Sequence, residues 1–336
     1  MRRLHLAFSL LYLIIVMSTL FSGVVFFEPS VFYHGKTNFS AHVSQNYGYA
    51  VVNIPLRFPF MPTDFLLSIS GVDKKDRTLT KSIIFVESSM NAHAYSYLGA
   101  AGLMQLMPKT AEILGVSNRF NPFENVKGGY KYLKDLEKQF NNQDKAIAAY
   151  HFGPGNVSRY GIVGAGKTYL DKVRNTEEKI KEGQIKASMI YDTAWLSLRG
   201  GFKEEAAVFN VSFLAQPFGV LMFGINAGID ISKEQLGVLS LGVGLSLSER
   251  NNILGCMDLI SRDAGVILWT ELWNFPFQIG WDNGAVLTTR YKINGFTISG
   301  GFYGGVPVFE LGSSYRDINV YAGWNETLYL RLEVGY

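Results

Sequence analysis

From residue 187 to residue 336 the spacing of apolar residues changes: helical periodicity gives way to short runs in which apolar and polar side chains alternate. Alternation of period two puts successive side chains on opposite faces of an extended strand, a pattern no amphipathic helix can use. The runs are rich in Gly and aromatic residues and are punctuated by turn signals at Asp282-Asn283-Gly284 and Asn294-Gly295. An antiparallel all-β domain is therefore predicted over 187–336. In the run from Ala285 to Ile293, Leu287, Tyr291 and Ile293 share one face, and Arg290 and Lys292 the other. The final run is clearer, with Leu328, Leu330, Leu332, Val334 and Tyr336 on one side and Arg331 and Glu333 opposite.

A second extended pattern lies at 28–63. Ala50, Val52, Ile54, Leu56 and Phe58 alternate with Val51, Asn53, Pro55 and Arg57. Pro55 suits an edge or a bulge, because proline has no amide to give a ladder. If this strand pairs with the C-terminal sheet, residues 64–186 are an insertion into a β domain, a placement that loops tolerate.

The stretch 64–186 has helical spacing. Thr80 to Met90 is predicted as a helix with Thr80 at its N-cap, Ile83, Ile84 and Val86 as apolar contacts, and Glu87 near its C-terminal end. A carboxylate there meets the negative end of the helix dipole, and apolar neighbours such as Met104, Met107 and Phe152 would add desolvation. Both raise its pKa, so Glu87 is expected to be a general acid near neutral pH.

Glu87 opens a longer constellation: Glu87-Ser88-Ser89-Met90-Asn91, then Ser96-Tyr97-Leu98-Gly99-Ala100-Ala101-Gly102-Leu103-Met104-Gln105-Leu106-Met107-Pro108, then Ala148-Ala149-Tyr150-His151-Phe152-Gly153-Pro154-Gly155. Phe120-Asn121-Pro122, Asn125-Val126, Gly128, Tyr132 and Leu133 fall between the last two, and Tyr169 and Val173 follow. The whole resembles the soluble lytic transglycosylase family, whose lysozyme-like domain cleaves the glycan strands of bacterial peptidoglycan. Two positions depart from the family pattern: Ala92 stands where Pro is usual, and His151 where Asn is usual.

The resemblance implies that Glu87 protonates the glycosidic oxygen between N-acetylmuramic acid and N-acetylglucosamine, then takes the proton of the muramyl 6-hydroxyl. A 1,6-anhydro sugar results, and no second carboxylate is needed. It also implies that Ser96 hydrogen-bonds the acid, that Gln105 and Met107 line the glycan cleft, and that Tyr150 and Tyr169 flank the site with His151 beside them. Two other readings keep this fold: a hydrolysing muramidase, and a non-catalytic wall-binding tether.

No cofactor is expected, and five His with one Cys show no metal-ligand spacing. A net charge of +3 is too mild to imply nucleic-acid binding. Met1-Arg2-Arg3 followed by the apolar run Leu4 to Phe27 predicts export, as a signal peptide or a membrane anchor over 1–27. The lone Cys256 excludes an internal disulfide. The apolar face of the last run, ending in an aromatic residue, resembles the final strand of bacterial outer-membrane barrels. The expectation is an α+β multidomain protein of the cell envelope, facing the periplasm. Its helical lysozyme-like domain is joined to a β domain, with a membrane barrel favoured over a soluble sandwich.

Overall fold

The computed structural model describes residues 38–335 except 45–46, 97, 204–205, 232, 273–274, 283, 294, 304, 316–317 and 326. The expectations for 1–27, for 28–37, for Tyr336 and for the turn residues Asn283 and Asn294 lie outside the described residues. The chain divides into a β unit, running up to Leu56 and resuming at Thr193, and a helical unit from Arg57 to Asp192.

The β unit is a closed barrel whose fourteen strands follow one another in chain order. Strands β1 (Asn38–Ser44) and β2 (Tyr47–Pro62) precede the helical unit. Strands β3 (Met189–Lys203) to β14 (Thr327–Gly335) follow it. Closure comes from antiparallel pairing of β1 with β14, where Ala41 stands opposite Leu332. Pairing removes both sheet edges, whose backbone groups would otherwise stay unsatisfied. The β domain expected at 187–336 thus needs two strands from 38–62 to close. Among the described residues β2 pairs with β1 up to Asn53, so Pro55 lies beyond that ladder.

The faces decide barrel against sandwich. On β14, Leu328, Leu330 and Leu332 are exposed on the outer face while Tyr329 and Arg331 are buried on the inner one. The pattern repeats on β12 (Val306–Tyr315), where Phe309 and Leu311 point out and Val308 and Glu310 point in. A sandwich would bury its apolar face against a second sheet; here the apolar face is outermost. Inside, Glu310 is paired with Arg331 at 2.8 Å and Arg290 at 3.3 Å and accepts the Tyr329 hydroxyl at 3.1 Å. Rings lie flat against the inner wall: a Cβ on Gly312 would come within 1.9 Å of Tyr321, so only glycine fits beneath that ring.

The helical unit packs α1 (Thr63–Ile69), α2 (Arg77–Ser88), α3 (Pro108–Leu114), α4 (Pro122–Phe140), α5 (Gln143–Phe152), α6 (Pro154–Tyr160) and α7 (Gly164–Lys181). Its core includes Leu66, Leu67, Ile83, Ile84, Leu103, Met104, Val126, Leu133, Ile147 and Val173. Asn121 caps α4 by accepting from the Phe123 and Glu124 amides, with Pro122 at the first helical position. The left-handed Asn141 ends α4, and Asn142 at once caps α5 through the Lys145 amide. The helix expected from Thr80 starts earlier, at Arg77. Thr80 is buried within it, and its hydroxyl donates back to the Asp76 carbonyl at 2.9 Å instead of capping.

Candidate active site

Glu87 is the penultimate residue of α2. The chain then reverses through two consecutive left-handed residues, Ser89 (φ 51°) and Met90 (φ 68°), which stops the helix directly after the acid. Burial pushes the Glu87 carboxyl up to about 7, opposed by the hydroxyl of Tyr169. That hydroxyl is buried and short of full hydrogen-bond geometry with any partner, yet near enough to Glu87 to favour its ionised form.

Two aromatic residues stand around the acid. Tyr150, on α5, donates to the Met104 carbonyl at 2.9 Å and lies 5.3 Å, ring to ring, from Tyr132. Its hydroxyl is held protonated well above the usual tyrosine range by burial and then by the charge of Glu87. Tyr169, on α7, is shifted the same way for the same reasons. The His151 ring stacks on Tyr169 at 4.7 Å and 9°. Partial burial, then the nearby Lys172 charge, hold its pKa below the ordinary histidine value.

The loop from Ser96 to Met107 is built by its own polar groups. Ser96 Oγ accepts the Ala100 amide at 2.9 Å, and the Gln105 amide donates to the carbonyls of Gly102 and Ala94 at 2.8 and 3.1 Å. Both side chains therefore shape the loop, whatever their role toward a ligand. Met107 is exposed ahead of α3, whereas Met104 is fully buried in the core. Gly102 has φ 80°, and a Cβ there would lie 2.0 Å from the Arg119 carbonyl oxygen.

Spacing alone did not reveal what holds this loop. Asn125 Oδ1 accepts the Met104 amide at 2.7 Å, and its Nδ2 donates to the Arg119 and Ala101 carbonyls at 2.8 and 3.0 Å. Arg119, itself buried, donates from Nη1 to Gly99 at 2.6 Å and to Leu106 at 2.9 Å. Asn125 stands in the motif as one more polar residue; its three bonds are visible only once α4 is packed against the loop.

Residues 70–167 match the family described as Transglycosylase SLT domain. A transglycosylase of Enterobacteria phage PRD1 is 39% identical over 98 residues, 29% of this chain and 36% of that protein. The membrane-bound lytic murein transglycosylase F of Pseudomonas putida (strain W619) is 34% identical over 100 residues, 28% of this chain and 21% of that protein. The 70 kDa soluble lytic transglycosylase of Escherichia coli superposes with a TM-score of 0.31 and 22% identity, covering 36% of this chain and 24% of that one. The chain thus spans little more than a third of the first of these relatives and about a fifth of the second. The match lies within the helical unit and includes Glu87 at the end of α2.

Proposed function

We propose that the chain is a lytic transglycosylase of the cell envelope, acting on peptidoglycan from a membrane-embedded barrel. The observation that carries the reading is a single carboxyl, Glu87, held up to about 7 by burial at the end of a helix within an SLT domain. An acid of that pKa is half protonated near neutrality, where it can both give and accept a proton.

Glu87 as the acid donates its proton to the glycosidic oxygen, the bond from that oxygen to the muramyl C1 breaks, and the oxygen departs as the 4-hydroxyl of N-acetylglucosamine. Glu87 as the carboxylate then takes the proton of the muramyl 6-hydroxyl, and the freed O6 bonds to C1. The acid is regenerated, no water is consumed, and the chain end is a 1,6-anhydro-N-acetylmuramyl group. The motifs supply one carboxyl, Glu87, and the intramolecular route needs no second. That favours the intramolecular route over a double-carboxylate hydrolysis.

The outward apolar face and inward polar face of the barrel fit a bilayer as solvent. The helical unit is inserted between β2 and β3. Action on peptidoglycan calls for that unit to face the periplasm, where peptidoglycan lies.

Purified protein incubated with sacculi, with the released fragments weighed by mass spectrometry, tests the reading. Anhydro ends support it. Reducing ends make the protein a muramidase, and absence of cleavage leaves only a wall-binding tether.

A further inference from the structure

Glu87 depends on the turn that follows it, and that turn is held by residues far away in sequence. The backbone of Tyr191 pairs with it on both sides: the Tyr191 amide donates to the Met90 carbonyl at 2.8 Å, and the Ala92 amide donates to the Tyr191 carbonyl at 2.9 Å. The Arg57 guanidinium donates to the Ser89 carbonyl, and its Cζ lies 4.2 Å from the centroid of the Tyr191 ring. One residue on, His93 Nδ1 is bonded to Asp192 Oδ1, both side chains being buried, and the His93 ring stacks on Phe120 at 5.5 Å. Arg57, Tyr191 and Asp192 lie outside the stretch 70–167 that matches the SLT family. They are the first and last residues of the helical unit.

Two left-handed residues in succession are unfavourable in a chain left to itself. The partners that hold Ser89 and Met90 in that shape are these end residues. Arg57 also brings a positive charge to the carbonyl end of α2, where a cation is favoured.

We propose that Arg57, with the Tyr191–Asp192 segment, forms a positioning clamp that holds the turn after Glu87 and thereby keeps the acid aimed and dry. The inference rests on the transglycosylase reading above. Loosening the clamp admits water to Glu87, lowers its pKa toward the ordinary carboxylate value, and misaims the carboxyl in the transition state.

The test uses the full-length protein in detergent, comparing Arg57→Met and Arg57→Lys with the unaltered chain on solubilised glycan strands. Arg57 is exposed, so the variants keep the core intact. Arg57→Met is expected to lower kcat roughly 10- to 100-fold with KM within about twofold, since misplacement by an ångström has effects of this size. The alkaline limb of its kcat profile should move to lower pH by about half a unit or more, as desolvation is relieved. Arg57→Lys, which retains a charged donor, should recover part of the loss. An unchanged kcat and pH limb overturns the clamp, as does a lowered unfolding temperature with both unchanged. Absence of turnover in the unaltered protein sinks the transglycosylase reading instead. The clamp is then read from Glu87 itself, by ¹³C NMR of carboxyl-labelled glutamate assigned with Glu87→Gln. A lowered titration midpoint in Arg57→Met upholds it, and an unmoved midpoint overturns it.

Discussion

Glu87 couples chemistry to stability through one proton. Its pKa is about 7 in the folded chain against 4.5 for a free side chain, so between those values the folded state binds more protons than the unfolded one. The resulting stabilisation is complete below about pH 4.5 and is lost as pH rises through about 7. Glu87→Gln cannot ionise and should lack that slope. Thermal unfolding followed by circular dichroism should show the variant matching the parent at about pH 4 and exceeding it at about pH 8, by on the order of 3 kcal/mol. The same variant should lose roughly 100- to 10,000-fold in glycan cleavage, the usual range for a general acid. Activity within a few-fold of the parent would remove Glu87 from the mechanism.

His151 acts at one remove. Protonated, it would place a cation against Tyr169 and so favour ionised Glu87, which is incompetent as an acid. Because burial and Lys172 hold its pKa down, this happens only below the ordinary histidine value of about 6.5. The pH profiles of the parent and His151→Asn are therefore expected to coincide at neutral pH and to separate only on acidification, with the parent falling more steeply. Superimposable profiles across the whole range would break the coupling.

At the scale of elements, the site is a loop and a helix end held by neighbours. Asn125 on α4 is the central tie, because its amide satisfies the Ala101 carbonyl and Met104 amide of the loop and the Arg119 carbonyl outside it. Asn125→Asp keeps the acceptor but turns a charged oxygen toward the Ala101 and Arg119 carbonyls. Burying unpaired acceptors costs about 1–3 kcal/mol apiece, more where charge is involved. The unfolding midpoint should drop clearly at neutral pH and recover in part on acidification, as the new carboxyl protonates and regains a donor; a midpoint within a degree of the parent would refute the tie. Such ties separate what the sequence discloses from what it hides. Glu87, the glycines and the tyrosines are legible because their spacing along the chain is itself the signal. The Arg57 contacts, the Asn125 bonds and the His151–Tyr169 stack join residues at unrelated separations along the chain and leave no periodicity. For the same reason the helix start could be misplaced at Thr80: a hydroxyl that bonds back within a helix and one that caps it look alike in sequence.

At the scale of the whole molecule, alternation in 187–336 discloses strands but cannot say whether the apolar face meets a second sheet or lipid. Closure decides it, and closure depends on β1 meeting β14 across nearly the full length of the chain. Among the described residues the outer face is left apolar and uncovered: Leu328, Leu330 and Leu332 on β14, Val243 on β6 (Gln235–Ser246) and Leu287 on β10 (Ala285–Ile293) are all exposed. An apolar band of that extent, over an interior that buries Arg290, Glu310 and Arg331, supports the proposed membrane location. The protein is therefore expected to stay with the outer-membrane fraction through a carbonate wash and to migrate differently in gels when unheated. Leu330 stands near the middle of β14 and points outward, so Leu330→Arg puts a charge against the lipid mid-plane. That substitution should weaken the barrel by roughly 2–4 kcal/mol, seen as a lower heating temperature at which the fast band converts to the slow one. Release of the parent by mild salt, or equal conversion temperatures for the two proteins, would mean that the outer face of the barrel does not meet lipid.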